Sequence, residues 1–122
     1  MNDLNTNKVL VIDDEAAILE MLTRMLSRKG YSIDTAENGA VAIKKVRTSH
    51  YDFVVTDIKM PDMSGKEILH EIKSIKGDDL PVIGMSGTPW LLDENLFDAV
   101  ISKPCTMKKL FEVVEKIAHS PS

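Results

Sequence analysis

A chain of 122 residues, 43% hydrophobic and 28% charged, fits one compact domain with a core of its own and excludes a disordered chain. Nineteen acidic against fifteen basic residues give a formal charge of −4 with no basic run, which argues against direct nucleic-acid binding. No apolar run approaches the roughly 20 residues that span a bilayer, and the polar start MNDLNTNK lacks an apolar signal core, so a cytoplasmic chain without membrane insertion is expected.

The first predicted element is the strand KVLVI, residues 8–12, which runs straight into three acids, Asp13, Asp14 and Glu15. A helix follows, with Ile18, Leu22, Met25 and Leu26 on one stripe and Lys29 and Gly30 as its closing cation and glycine. YSIDTA (31–36) reads as a second strand, residues 39–48 as a weaker helix on Val41, Ile43 and Val46, and DFVVT (52–56) as a third strand. Ile68, Leu69, Ile72 and Ile75 mark a helix over residues 65–76, PVIGM (81–85) a fourth strand and DAVIS (98–102) a fifth. The last helix sets Met107, Leu110, Phe111, Val114 and Ile117 on one face. Residues 1–7 and 119–122 read as loose ends around one domain at 8–118.

Continuous β-branched runs alternating with helices predict an α/β fold: a parallel sheet with right-handed crossovers and helices on both faces. In a doubly wound, flavodoxin-like five-stranded sheet of order 2-1-3-4-5, ligands bind where the strand order reverses, beyond the C-terminal ends of strands one and three. That edge collects Asp13 and Asp14 from the first strand, Asp57 from the third, Ser86 from the fourth and Lys103 from the fifth. Carboxylates in one crevice repel, by about 4 kcal/mol per pair at ~4 Å and an effective dielectric near 20. An all-oxygen set without His or Cys suits a hard cation, and a small open site favours Mg²⁺. Acid, metal, lysine and hydroxyl together are the parts that phosphoryl transfer requires.

Each piece has a plainer reading by itself. Asp14 and Glu15 serve equally well as acids at a helix N-terminus, Asp57 and Ser86 as turn residues, Lys103 as a solvated loop lysine. Their joint arrival on one sheet edge favours a site. Cys105, the only cysteine, permits no internal disulfide and reads as a small packing residue. His50, His70 and His119 show no ligand spacing.

With VLVIDDE, VVTDIKMPDMSG (54–65), VIGMSGT (82–88) and ISKP (101–104), the sequence resembles the receiver domain of two-component response regulators over nearly all of residues 8–118. The resemblance implies that Asp57 accepts a phosphoryl group from a phosphohistidine on a histidine kinase or histidine phosphotransfer protein, and that a downstream effector or output domain reads the change. It implies Mg²⁺ held by Asp13, Asp14, Asp57 and the backbone carbonyl of Lys59, a switch hydroxyl at Ser86 and a phosphoryl-pairing lysine at Lys103. It further implies room for the phosphoryl group at Gly87, side chains at Lys59 and Thr88 flanking the hydrolytic water, and a cis peptide at Lys103–Pro104.

Three positions depart from the family pattern. Val100 stands where an aromatic switch residue is usual, so signalling is expected to run through the Ser86 loop and backbone shifts. Lys103 follows Ser86 by only seventeen positions, which predicts a short or distorted fourth helix after Pro89, with Trp90 either filling the core or standing exposed as a partner anchor. Cys105 replaces a usual Phe. A competing reading is a small aspartate-nucleophile phosphatase of the haloacid dehalogenase kind, but that family places its nucleophile on the first strand in an Asp-x-Asp pattern, whereas Asp13 and Asp14 are adjacent.

Overall fold

The computed structural model describes residues 7–87, 96–103 and 105–118. Thr88, the helix expected after Pro89, Trp90, Pro104 with its peptide bond, and most of both expected loose ends lie outside the described residues.

Strands β1 (Lys8–Ile12), β2 (Ser32–Ala36), β3 (Phe53–Asp57), β4 (Val82–Ser86) and β5 (Ala99–Ser102) form one parallel sheet of order β2-β1-β3-β4-β5. Between and after them run α1 (Ala16–Ser27), α2 (Gly39–Thr48), α3 (Gly65–Lys76) and α4 (Met107–Ala118), with a single 3₁₀ turn at Gly77–Asp79. The expected topology and its switch point between β1 and β3 are therefore present. No helix among the described residues is long and apolar enough to cross a membrane.

The sheet owes its parallel form to burial on both faces, because alternate residues of each strand serve two separate cores. Val9, Val11, Phe53, Val55, Ile83, Met85 and Ile101 point to one side, against Leu19, Leu22 and Leu26 of α1 and Leu110, Val113 and Val114 of α4. Leu10, Ile12, Val54 and Val82 point to the other, against Ala42 and Val46 of α2 and Ile68, Leu69 and Ile72 of α3. Cys105 is buried in the first core, and burial pushes its thiol pKa up, as a packing cysteine requires. His50 and His70 are exposed.

Helix ends follow local chemistry. Asn38 accepts a hydrogen bond from the Val41 N–H at 2.9 Å to start α2. Ser64 and Glu67 form a reciprocal capping box at the start of α3, with the Glu67 N–H donating to Ser64 Oγ at 3.1 Å and the Ser64 N–H to Glu67 Oε1 at 3.0 Å. The first helix ends at Ser27, so Lys29 lies beyond its last turn, where its ammonium stands 5.0 Å over the Phe111 ring. Gly30, at φ 92°, turns the chain towards β2.

Candidate functional site

Register brings the strand ends into line. Ile12 pairs with Thr56, Asp57 with Met85, and Ser86 with Ser102, so the residues at or just past these positions share one edge. Asp13 follows β1 directly and is held by its N–H donating to Ala36 O at 3.1 Å. Asp57 is the last residue of β3; its carbonyl accepts from Thr56 Oγ1 at 3.0 Å. Lys103 follows β5 and donates its N–H to Ser86 O at 2.9 Å, which ties the lysine to the end of β4.

The side chains converge. One carboxylate oxygen from each of Asp13, Asp14 and Asp57 lie within 4.8 Å of one another. The Lys103 ammonium stands 3.0 Å from Asp57 Oδ1 and 3.3 Å from Asp13 Oδ2. Asp13 is fully buried and Asp57 nearly so, whereas Asp14 is exposed at the mouth. Ser86 is buried; Lys59 and Gly87 are exposed, and a Cβ added at Gly87 would meet nothing within 4 Å.

The electrostatics of the crevice are unbalanced. Burial raises the Asp13 carboxyl pKa; the Glu15 backbone N–H, 2.9 Å from Oδ1, and the Lys103 charge pull it down without overcoming that rise. Burial alone would lower the Lys103 pKa, but the Asp57 hydrogen bond and the Asp13 and Asp57 charges outweigh it and leave the ammonium above its ordinary value. Asp13 Oδ2 has only the charge contact with Lys103 and no aligned hydrogen-bond donor among the described residues. A buried carboxylate oxygen with an unspent lone pair, beside two further carboxylates, fits a hard divalent cation held by oxygen ligands.

Two features were not foreseen from the sequence. Glu15 is the N-cap residue of α1, yet its side chain makes no capping hydrogen bond. Its Oε1 instead lies 3.9 Å from Lys103 Nζ, so this helix-terminal acid also stands within charge contact of the site lysine. The Ile18 N–H, a donor that a capping side chain would take, goes instead to the Glu15 carbonyl at 3.1 Å, and the Glu15 carboxylate is left to face Lys103.

The second is Gly65. Its N–H closes the β3–α3 loop onto Ile58 O at 2.7 Å, and a Cβ there would lie 2.8 Å from Ile58 Cα and 3.2 Å from Asp57 O. Backbone atoms cannot step aside as a flexible side chain does. Gly65→Ala is expected to cost about 1–3 kcal/mol through overpacking, read as a lower urea midpoint with an unchanged slope. An unshifted midpoint would show that the loop yields freely.

Val100, at the position that lacks the aromatic, is half-buried against the second core, in which Phe97 is also buried.

A doubly wound α/β domain with carboxylates and a lysine gathered at the switch point has the groups that phosphoryl chemistry needs where ligands bind. The chain belongs to the response regulator receiver domain family, whose profile matches residues 9–115. It is thus a receiver domain of the two-component response regulator class, a phosphorylation-dependent signalling module rather than an enzyme acting on a separate substrate. It is 38% identical over 87 residues to the transcriptional regulatory protein ResD of Bacillus subtilis (strain 168), covering 71% of this chain and 36% of that protein. To the response regulator MprA of Mycobacterium sp. (strain KMS) it is 40% identical over 76 residues, covering 62% of this chain and 33% of that protein. The chain thus matches about a third of the length of these curated relatives.

Among solved structures, the response regulator TrrA from Thermotoga maritima, in complex with Mg²⁺-BeF, superposes with a TM-score of 0.82 at 38% identity, over 90% of this chain and 97% of that one. A CheY-like receiver domain from Methylobacillus flagellatus gives a TM-score of 0.83 at 24% identity over the same shares, a likeness of fold alone.

Proposed function

We propose that residues 8–118 form one receiver unit in which Asp57 is the phosphoacceptor and Asp13, Asp14, Asp57 and the Lys59 carbonyl hold Mg²⁺. The observation that carries this reading is the Lys103 ammonium 3.0 Å from Asp57 Oδ1 within a group of three carboxylates. Three carboxylates gathered beside one ammonium leave acidic groups in excess, a setting that suits a divalent ion. The relative TrrA, with its Mg²⁺-BeF complex, supports that choice of ion.

In the reaction a carboxylate oxygen of Asp57 attacks the phosphorus of a partner phosphohistidine. The new O–P bond forms as the N–P bond breaks, and the partner's ring, protonated on its other nitrogen, leaves as neutral imidazole. Lys103 is placed to pair with an oxygen of the transferred group, and Ser86 contributes its hydroxyl from the end of β4. Gly87 leaves the approach open, and the family resemblance gives Lys59 and Thr88 a part in setting the lifetime of the phosphorylated state. Mg²⁺, when bound, draws charge from the phosphoryl oxygens and offsets carboxylate repulsion. The partner is a histidine kinase or histidine phosphotransfer protein of the cytoplasm, and a downstream effector or output domain reads the phosphorylated state. With Val100 in place of an aromatic, that state is transmitted by the Ser86 loop and backbone.

Intact mass after incubation with acetyl phosphate tests the assignment. Wild type with Mg²⁺ should gain one phosphoryl group, and Asp57→Asn or wild type with a chelator should gain none. A Mg²⁺-dependent gain that persists in Asp57→Asn would overturn it.

A further inference from the structure

The loop between β3 and α3 is pinned along its length. Ile58 donates its N–H to Met85 O at 3.0 Å, and the loop closes on itself through the Gly65 N–H to Ile58 O at 2.7 Å. Its tip is held by a different element: Asp62 Oδ1 accepts from the Gly39 N–H at 3.0 Å and Asp62 Oδ2 from the Ala40 N–H at 3.2 Å. These are the first two residues of α2, twenty-three and twenty-two positions away in the chain. Met63 packs on the same turn so closely that a Cβ at Gly39 would lie 2.5 Å from its Sδ.

A helix N-terminus presents unpaired N–H groups and partial positive charge, and a carboxylate that takes two of them is bound in orientation as well as position. The first turn of α2 carries no acid of its own. The duties are divided: Asn38 serves the Val41 N–H, and Asp62 serves Gly39 and Ala40. The Gly39 N–H above all, with the Ala40 N–H beside it, holds the Asp62 carboxyl below its usual range, so it is ionised at neutral pH.

Lys59 lies between the pins at Ile58 and Asp62, with Pro61 restricting the backbone between them. We propose that Asp62 is a positioning residue: its clasp on the N-terminus of α2 fixes the backbone that presents the Lys59 carbonyl to the cation beside Asp13, Asp14 and Asp57. This rests on the reading of that crevice as the Mg²⁺ site. It gives α2, which supplies none of the assigned ligands, a part in setting the affinity of the site.

Asp62→Ala weakens Mg²⁺ binding by about tenfold, the usual scale for a residue that orients a ligand. Asp62→Asn, which retains one acceptor oxygen, falls between the two. Asn38→Ala is the control, because it removes a cap from α2 without touching the loop. It lowers the urea midpoint but leaves the Mg²⁺ dissociation constant within about twofold of wild type.

The constants come from NMR titration of the full chain with MgCl₂. If Asp62→Ala leaves Mg²⁺ affinity unchanged, or if Asn38→Ala weakens it equally, Asp62 merely caps a helix and the proposal fails. Asp13→Asn separates that failure from a wrong site: wild-type Mg²⁺ affinity in Asp13→Asn would place the cation elsewhere and remove the basis for both readings.

Discussion

Lys103→Met should lower the stability of the Mg²⁺-free protein by about 2–3 kcal/mol, toward the lower end of what breaking a buried ion pair costs. Lys103 is the one cation paired with the site acids among the described residues, at 3.0 Å from Asp57 and 3.3 Å from Asp13. Its removal leaves two carboxylates with little access to water and no positive partner. Two features hold the loss below the maximum. The lysine side chain is 22% exposed, so solvent already screens part of the attraction. Asp13, whose carboxyl burial already raises, can also escape by taking up a proton. Methionine keeps the length of the stem and deletes only the charge. Urea unfolding with and without MgCl₂ checks the expectation: the variant should unfold earlier without Mg²⁺ and recover part of the difference with it. Equal midpoints for variant and wild type without Mg²⁺ would mean that the lysine contributes nothing net to folding.

The same crevice shows which parts of the design are legible in a single sequence. Strand ends are legible, because a buried parallel strand is a β-branched run and the first polar residue after it lands on the ligand edge. β1 matches KVLVI residue for residue, and Asp57, Ser86 and Lys103 stand at or just beyond their strand ends. The other four strands begin one residue later than their runs, and two of those heads have identifiable duties. Pro81 has no N–H and offers only its carbonyl, to the Val54 N–H at 3.0 Å. Asp98 turns its carboxylate back to the Val82 N–H at 2.7 Å.

Contacts between elements distant in sequence leave no such trace. Asp62 on the start of α2 and Glu15 beside Lys103 depend on how crossovers stack, which neither periodicity nor spacing encodes. Gly65 looks like an ordinary turn glycine until the closeness of the Ile58 backbone is seen. The capping box is the exception: Ser64 and Glu67 stand at the spacing that marks a helix start, so that signal was available in the sequence.

Asp13→Asn should separate folding from function by moving them in opposite directions. Asparagine is nearly isosteric and keeps an oxygen to accept the Glu15 N–H, now at 2.9 Å from Oδ1. What disappears is a charge in a fully buried position, where desolvation is the largest influence on the carboxyl and raises its pKa. A carboxyl raised in the folded state loses folding energy once the pH is high enough to ionise it. At neutral pH the neutral amide avoids that cost. Against this, the amide gives up the Lys103 contact at 3.3 Å, so the net gain is small, about 1 kcal/mol.

Added Mg²⁺ should reverse the order. An ion that binds only the folded state stabilises it by about 2.7 kcal/mol at a hundredfold excess over its dissociation constant, and the variant, having lost a ligand charge, gains far less. Urea midpoints plotted against MgCl₂ concentration should therefore cross: the variant is the more stable without the ion, wild type with it, and only wild type gains a phosphoryl group from acetyl phosphate. Parallel curves would show that the buried Asp13 charge is not kept for a cation. Its cost to folding would then need another explanation.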